Sequence, residues 1–143
     1  MADAKEIAGK FVTAFNAHDE KALLALHAAH IKFEAPGGVQ YNTTADATAY
    51  AMRWLKGFPN GKMIVRNEIV SGPWVIQEMT MEGVHAGPLE NAMGTVPATH
   101  KKVSGKGVQI LKVEDGQISE AKVYYDQFEF MSQLGLIPTP ATV

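Results

Sequence analysis

His85 stands in Gly83-Val84-His85-Ala86-Gly87, an imidazole held between glycines at the end of a predicted strand. Loops at strand ends often carry functional groups, and an imidazole there can move a proton near neutral pH. Asp126 follows the last predicted strand; if buried, its carboxyl would act as a base of raised pKa. Its three-residue spacing to Glu129 also makes it a helix cap, which is the simpler account. Glu34 in a short strand and Tyr41 just past Gly37-Gly38 offer a carboxylate and a phenol to a polar substrate atom, although both residue types serve structure as readily. Glu78 and Glu82 alternate with Met79 and Met81, so the two carboxylates share one strand face, most simply a solvated one.

Other chemistries find little support. His27, His30 and Glu34 resemble a metal set only loosely, because the two histidines straddle a predicted helix end and lack the geometry of a continuous helical motif; no metal is expected. Gly83, Gly87 and Gly94 do not lead a strand into a helix in the order a phosphate loop needs, so no nucleotide and no other cofactor is expected. The absence of cysteine excludes thiol catalysis and disulfides and fits a reducing cytoplasm, where the protein is expected to reside. Lys plus Arg is 13 and Asp plus Glu is 15, a net charge of −2, and the basic residues do not cluster beyond Lys101, Lys102 and Lys106. Nucleic acid is therefore not an expected partner, nor is a membrane, since no run approaches the ~20 apolar residues of a membrane span.

The elements that must hold these groups follow from periodicity and punctuation. The 143 residues suit one domain, taken as 1–143, with 46% hydrophobic and 20% charged residues. Asp3 with Glu6 is a capping-box spacing that opens a helix carrying Ile7, Phe11 and Phe15. Asp19 opens a second helix predicted to run from Glu20 to about Ala29, with Leu23, Leu24, Leu26 and His27 on its apolar face. Ile31 and Phe33 alternate with Lys32 and Glu34 in a short strand that breaks at Pro36-Gly37-Gly38. Thr43 or Thr44 caps a third helix, in which Ala47, Tyr50, Ala51, Trp54 and Leu55 form a stripe and Gly57 is the stop.

Predicted strands then cover 62–70, 74–82, 103–113 and 117–125, and Asp126 with Glu129 starts a closing helix that ends near Leu134-Gly135, with Pro138 beyond it. Helices first and a strand meander later is an α+β pattern. The seven methionines are most simply core filling.

The turn Val113-Glu114-Asp115-Gly116-Gln117 decides which residues face inward. It can be a two-residue turn or a type I turn with a bulge at left-handed Gly116, and the two differ by one residue in register. The bulged form is the one expected, pairing Val113 with Gln117, Leu111 with Ser119, Gln109 with Ala121 and Gly107 with Val123. One face then carries Gly107, Gln109, Leu111, Val113, Ser119, Ala121 and Val123, a small and apolar wall with Gln109 as its polar group. Val108, Ile110, Lys112, Glu120, Lys122 and Tyr124 fall on the outer face.

Gly72-Pro73-Trp74-Val75, Gly83-Val84-His85-Ala86-Gly87, Ser104-Gly105 with Val108, Asp115-Gly116-Gln117-Ile118, Asp126 and Gln133-Leu134-Gly135, with Ala14-Phe15-Asn16 before them, together resemble the SnoaL-like polyketide cyclases of the NTF2-like superfamily. The resemblance covers most of the chain. It implies a cone in which a curved, mostly antiparallel sheet wraps three N-terminal helices around a central pocket, with a short C-terminal helix. It also implies a homodimer or homotetramer and a small hydrophobic organic ligand.

In that family an intramolecular aldol condensation uses an aspartate of the last strand as acid/base, with a histidine and a glutamine on the neighbouring strand. Carried over without gaps, those positions are Val123, Gln109 and Gly107, and valine cannot transfer a proton. The chain thus reads as a cofactor-free enzyme on a hydrophobic substrate whose chemistry departs from aldol cyclisation. His85, Asp126 or Glu34 would carry the proton, and Gln109, Val123, Gly107, Tyr41 and Trp54 would meet the substrate. A noncatalytic ligand-binding protein on the same scaffold is the alternative, with a dimerisation module a third reading.

Overall fold

A computed structural model describes residues 3–91 and 94–137. Helix α1, Ala4–Asn16, starts where the Asp3 carboxylate accepts a hydrogen bond from the Glu6 amide at 2.8 Å, and it buries Ile7, Ala8 and Phe15. Asp19 likewise caps α2, Glu20–Leu26, through the Ala22 amide. Helix α2 does not continue to Ala29 as predicted: strand β1, His27–Ala35, begins at once. One tertiary gain and one local one outweigh the helix propensity of Ala28 and Ala29. His27 pairs with Ile118 in a parallel ladder, and its Nδ1 lies 2.6 Å from the Leu23 carbonyl, which would otherwise be an orphan acceptor at the helix end.

Gly37 and Gly38, at φ 86° and 77°, turn β1 into β2, Val39–Thr43, a strand with no counterpart among the predicted elements. The Thr43 hydroxyl accepts from the Asp46 amide at 3.2 Å and so is the cap of α3, Thr44–Gly57. Gly57 ends that helix without a left-handed backbone; a side chain there would meet Leu89 at 3.0 Å, so close packing is what requires glycine.

Strands β3, Lys62–Ser71, and β4, Trp74–Val84, form a hairpin, and β5, Leu89–Asn91, with β6, Gly94–Val96, forms a small one in the following loop. Strands β7, Lys102–Glu114, and β8, Gln117–Tyr125, precede α4, Gln127–Gln133, capped by Asp126. Pro138 lies outside the described residues. The main sheet runs β2-β1-β8-β7-β4-β3 and is antiparallel except at β1–β8. Helices α1 and α3 lay Ile7, Ala8 and Ala47 against Ile31, Phe33, Val75 and Leu111 of this sheet. Phe15 is buried, whereas Phe11 and Trp54, on the same apolar stripes, are half-buried. No helix among the described residues is long and apolar enough to cross a membrane.

The β7–β8 hairpin departs from the predicted register. Asp115 and Gly116, at φ 52° and 74°, make a two-residue turn that pairs Glu114 with Gln117 and Val113 with Ile118. The extra residue comes further on, at Ser119, after which Lys112 pairs with Glu120, Leu111 with Ala121, Gln109 with Val123 and Gly107 with Tyr125. Ser119 therefore does not face inward as expected. In the predicted register Ile118 would face out, forgoing roughly 1.5–3 kcal/mol of side-chain burial. In the observed one Ile118 is fully buried, and Ser119 donates to the Glu114 carboxylate at 2.7 Å.

Candidate functional site

Between the helices and the concave sheet lies a cavity of about 60 Å³ that opens to solvent. Phe11 and Phe15 of α1 and Tyr50 and Trp54 of α3 form its roof. Its floor comes from alternate residues of β3, β4, β7 and β8, among them Met63, Met79, Gln109, Leu111 and Val123. No Asp, Glu, Lys or Arg is among the residues lining it, so the wall suits a neutral, largely apolar guest.

The polar group at the floor is an amide held by a chain of hydrogen bonds. Gln109 and Gln77 sit opposite each other on β7 and β4, each 1% exposed. Gln109 Nε2 donates to Gln77 Oε1 at 2.6 Å, and Gln77 Nε2 donates to Glu68 Oε2 at 2.8 Å. Glu68 reaches Gln77 because the register skips Arg66, shifting β3 from Val65 opposite Met79 to Glu68 opposite Gln77. Buried amides left unpaired would each cost about 1–3 kcal/mol, and this chain removes that penalty.

Further polar side chains on its wall are those of His27, Thr48, Tyr50 and Tyr125. His27 is buried, which lowers its pKa against the opposing contact with the Leu23 carbonyl, so the imidazole is neutral at pH 7. That contact places the proton on Nδ1 and makes Nε2 the basic nitrogen. The hydroxyls of Tyr50 and Tyr125 lie 2.9 Å apart. Burial first, and the Tyr125 hydroxyl second, push the Tyr50 pKa upward, keeping it a neutral donor.

A family model for the SnoaL-like polyketide cyclases matches residues 5–134. The chain belongs to that family. Among its relatives, aklanonic acid methyl ester cyclase DnrD of Streptomyces peucetius is 31% identical over 117 residues, 78% of each chain. DauD of Streptomyces sp. strain C5, of the same description, is 29% identical over 98% of this chain and 87% of its own. A Jannaschia sp. CCS1 protein assigned to the SnoaL-like cyclases superimposes with a TM-score of 0.83 at 20% identity, covering 94% of this chain and 93% of that one. An epoxide hydrolase of Mycobacterium tuberculosis superimposes with a TM-score of 0.70 at 15% identity over 92% and 88%. These superpositions show a shared fold, the NTF2-like cone.

Within this family fold, the residues predicted from sequence separate. Gln109, Val123 and Trp54 are on the cavity wall. Gly107 is not: a Cβ there would come within 3.2 Å of the Tyr124 carbonyl and 3.4 Å of Met79 Cε, so the position serves close packing. Tyr41 lies behind the wall, stacked on Phe33 at 5.8 Å with its hydroxyl accepting from Arg53 at 3.0 Å. Glu34 is on β1 one residue past the inward Phe33, and so turns away. His85 is fully buried outside the cavity, its Nδ1 2.9 Å from Thr99 Oγ1 and its ring 5.4 Å from that of Phe58. Burial lowers its pKa, with the Gly87 backbone acting against it.

Asp126 is exposed, accepts from the Glu129 amide at 3.1 Å, and borders only a smaller depression beside Trp54, Tyr125 and Phe130. The structure therefore brings none of the three predicted proton carriers to the cavity. The groups it does bring were read otherwise: His27 as helix face, Tyr50 as part of an apolar stripe. Gln77 and Glu68 had no local signal, because a strand bulge has none. His27 and His30, weighed above as a metal pair, differ in exposure, His27 being buried and His30 exposed.

Proposed function

We propose that this chain is a family enzyme that removes a proton from carbon next to a carbonyl in a hydrophobic, polyketide-like substrate, using its own side chains. The observation that carries the reading is His27: a neutral imidazole on the cavity wall, with its proton tied to the Leu23 carbonyl and Nε2 left as the base. The Tyr50–Tyr125 pair supplies a neutral hydroxyl donor to the enolate oxygen, and Gln109 orients the substrate through its amide. On this reading Val123 and Gln109 replace the family's acid/base aspartate and histidine, and aldol ring closure is not the reaction completed. The names of the relatives, which concern a polyketide ester, support the substrate class.

Aklanonic acid methyl ester incubated in D2O tests this by NMR. The expected result is deuterium at carbon α to a carbonyl, slowed ~10²–10⁴-fold in His27→Gln. Binding without exchange would overturn the enzymatic reading and leave the second one, a noncatalytic carrier of neutral ligands, which the uncharged cavity wall favours. Ring closure of the ester by the unmodified protein would overturn the departure from cyclase chemistry. For assembly, we propose that a second copy covers the outer face of Val108, Ile110 and Tyr124, the last 50% exposed. Light scattering that shows a monomer at micromolar concentration would overturn that.

A further inference from the structure

We infer that the cavity floor selects a ligand hydroxyl, phenolic or enolic, over a carbonyl oxygen, and that Glu68 on the edge strand sets this selection from outside the cavity. The inference rests on the reading above that the cavity holds a hydrophobic small molecule.

A glutamine amide has one acceptor end and one donor end, and which end faces a site follows from its neighbours. Here the polarity is dictated by a carboxylate. An ionised Glu68 only accepts, so Gln77 must turn its Nε2 toward Glu68, at 2.8 Å. Gln77 Oε1 then faces Gln109, which must answer with Nε2, at 2.6 Å. The remaining donor capacity of that nitrogen lies against Met63 Sδ at 3.6 Å.

Gln109 Oε1 is left over. It receives no hydrogen bond from a described residue, yet it is not among the buried oxygens closed off from open space. Gln109 as a whole is 1% exposed and lines the cavity, so the space its oxygen borders is the cavity. A guest with a hydroxyl satisfies that oxygen. A guest with only a carbonyl or ether oxygen there sets two acceptors against each other and leaves Oε1 unpaired. Together with the tyrosine hydroxyl pair, which donates, the cavity is matched to a compound bearing both a hydroxyl and a carbonyl, such as a hydroxyaryl ketone.

Glu68→Gln removes the constraint. The amide introduced there can donate to Gln77 Oε1, Gln77 can donate to Gln109 Oε1, and the Gln109 amide nitrogen then faces the cavity.

The test compares three probes by isothermal titration: 1-naphthol, which can donate, and 1-methoxynaphthalene and 1-tetralone, which cannot. In the unmodified protein 1-naphthol should bind about tenfold more tightly than either. In Glu68→Gln that preference should fall to about twofold or less, with 1-tetralone gaining relative to 1-naphthol. Equal affinities in the unmodified protein would overturn the hydroxyl selection while leaving the cavity reading intact. An unchanged preference in a folded Glu68→Gln variant would overturn the role of Glu68. Failure of all three probes to bind would overturn the cavity reading itself, and this inference with it. Should Glu68→Gln not fold, the comparison in the unmodified protein still decides the hydroxyl selection, and Gln77→Leu, which cuts the chain at its middle, decides whether the relay sets it.

Discussion

Val123 and Gln109 face each other across β7 and β8 on the cavity floor, so a carboxylate introduced at 123 would lie beside an amide oxygen that only accepts. Nothing on that wall is cationic, and the carboxyl would be held protonated. Its folded pKa would stand above the unfolded value of about 3.9, so any stability it contributes exists at low pH and is lost as pH rises. Val123→Asp should therefore lower the melting temperature more at pH 8 than at pH 4.5, relative to the unmodified protein at each pH. An equal loss at both would mean that the new carboxylate finds a partner. Adding Gly107→Gln and Gln109→His would not relieve the loss simply, because a side chain at 107 crowds the Tyr124 carbonyl at 3.2 Å.

Element ends and bulges account for the residues that looked functional and those that were overlooked. Asp126 caps α4, so Asp126→Ala should cost about 1 kcal/mol of stability and leave turnover unchanged. A turnover loss of ~10²-fold in a folded variant would return Asp126 to the chemistry. Ser119 is the unpaired residue of the β8 bulge, with Val113 opposite Ile118 before it and Lys112 opposite Glu120 after it. Deleting Ser119 should leave a regular hairpin with the same faces inward, and NMR shifts around Gln109 and Val123 should change little. In the register predicted from sequence the same deletion would turn every later side chain of β8 to the other face. Unfolding of the deletion variant would thus favour that register.

For the molecule as a whole, two imidazoles are buried in separate places, His27 at the cavity and His85 at the start of the loop that follows β4, and burial lowers both pKa values. The unfolded chain binds their protons near the ordinary value of 6.5 and the folded one only below it. Stability is accordingly complete above 6.5 and is lost as pH falls toward the folded values. Thermal denaturation should show a falling melting temperature between pH 7.5 and 5, with a shallower slope in His27→Gln. A slope unchanged in that variant would place the titration elsewhere.

The order of the helices and of the longer strands, the caps at Asp3, Asp19, Thr43 and Asp126, and the inward face bearing Gln109 and Leu111 were legible from residues a few positions apart, whereas the short strands β2, β5 and β6 were not. Periodicities of 3.6 and 2 and capping bonds act within a turn or a strand, so a linear sequence carries them. The polar lining of the cavity was decided elsewhere. The parallel pairing of β1 with β8 accompanies the early end of α2 and the strand conformation of His27, and the skip at Arg66 brought Glu68 to Gln77. The bulge at Ser119 kept both Ile118 and Ala121 buried. Each depends on which of two registers between distant segments buries more apolar surface and pairs more polar groups, a comparison that exists only once the sheet is assembled.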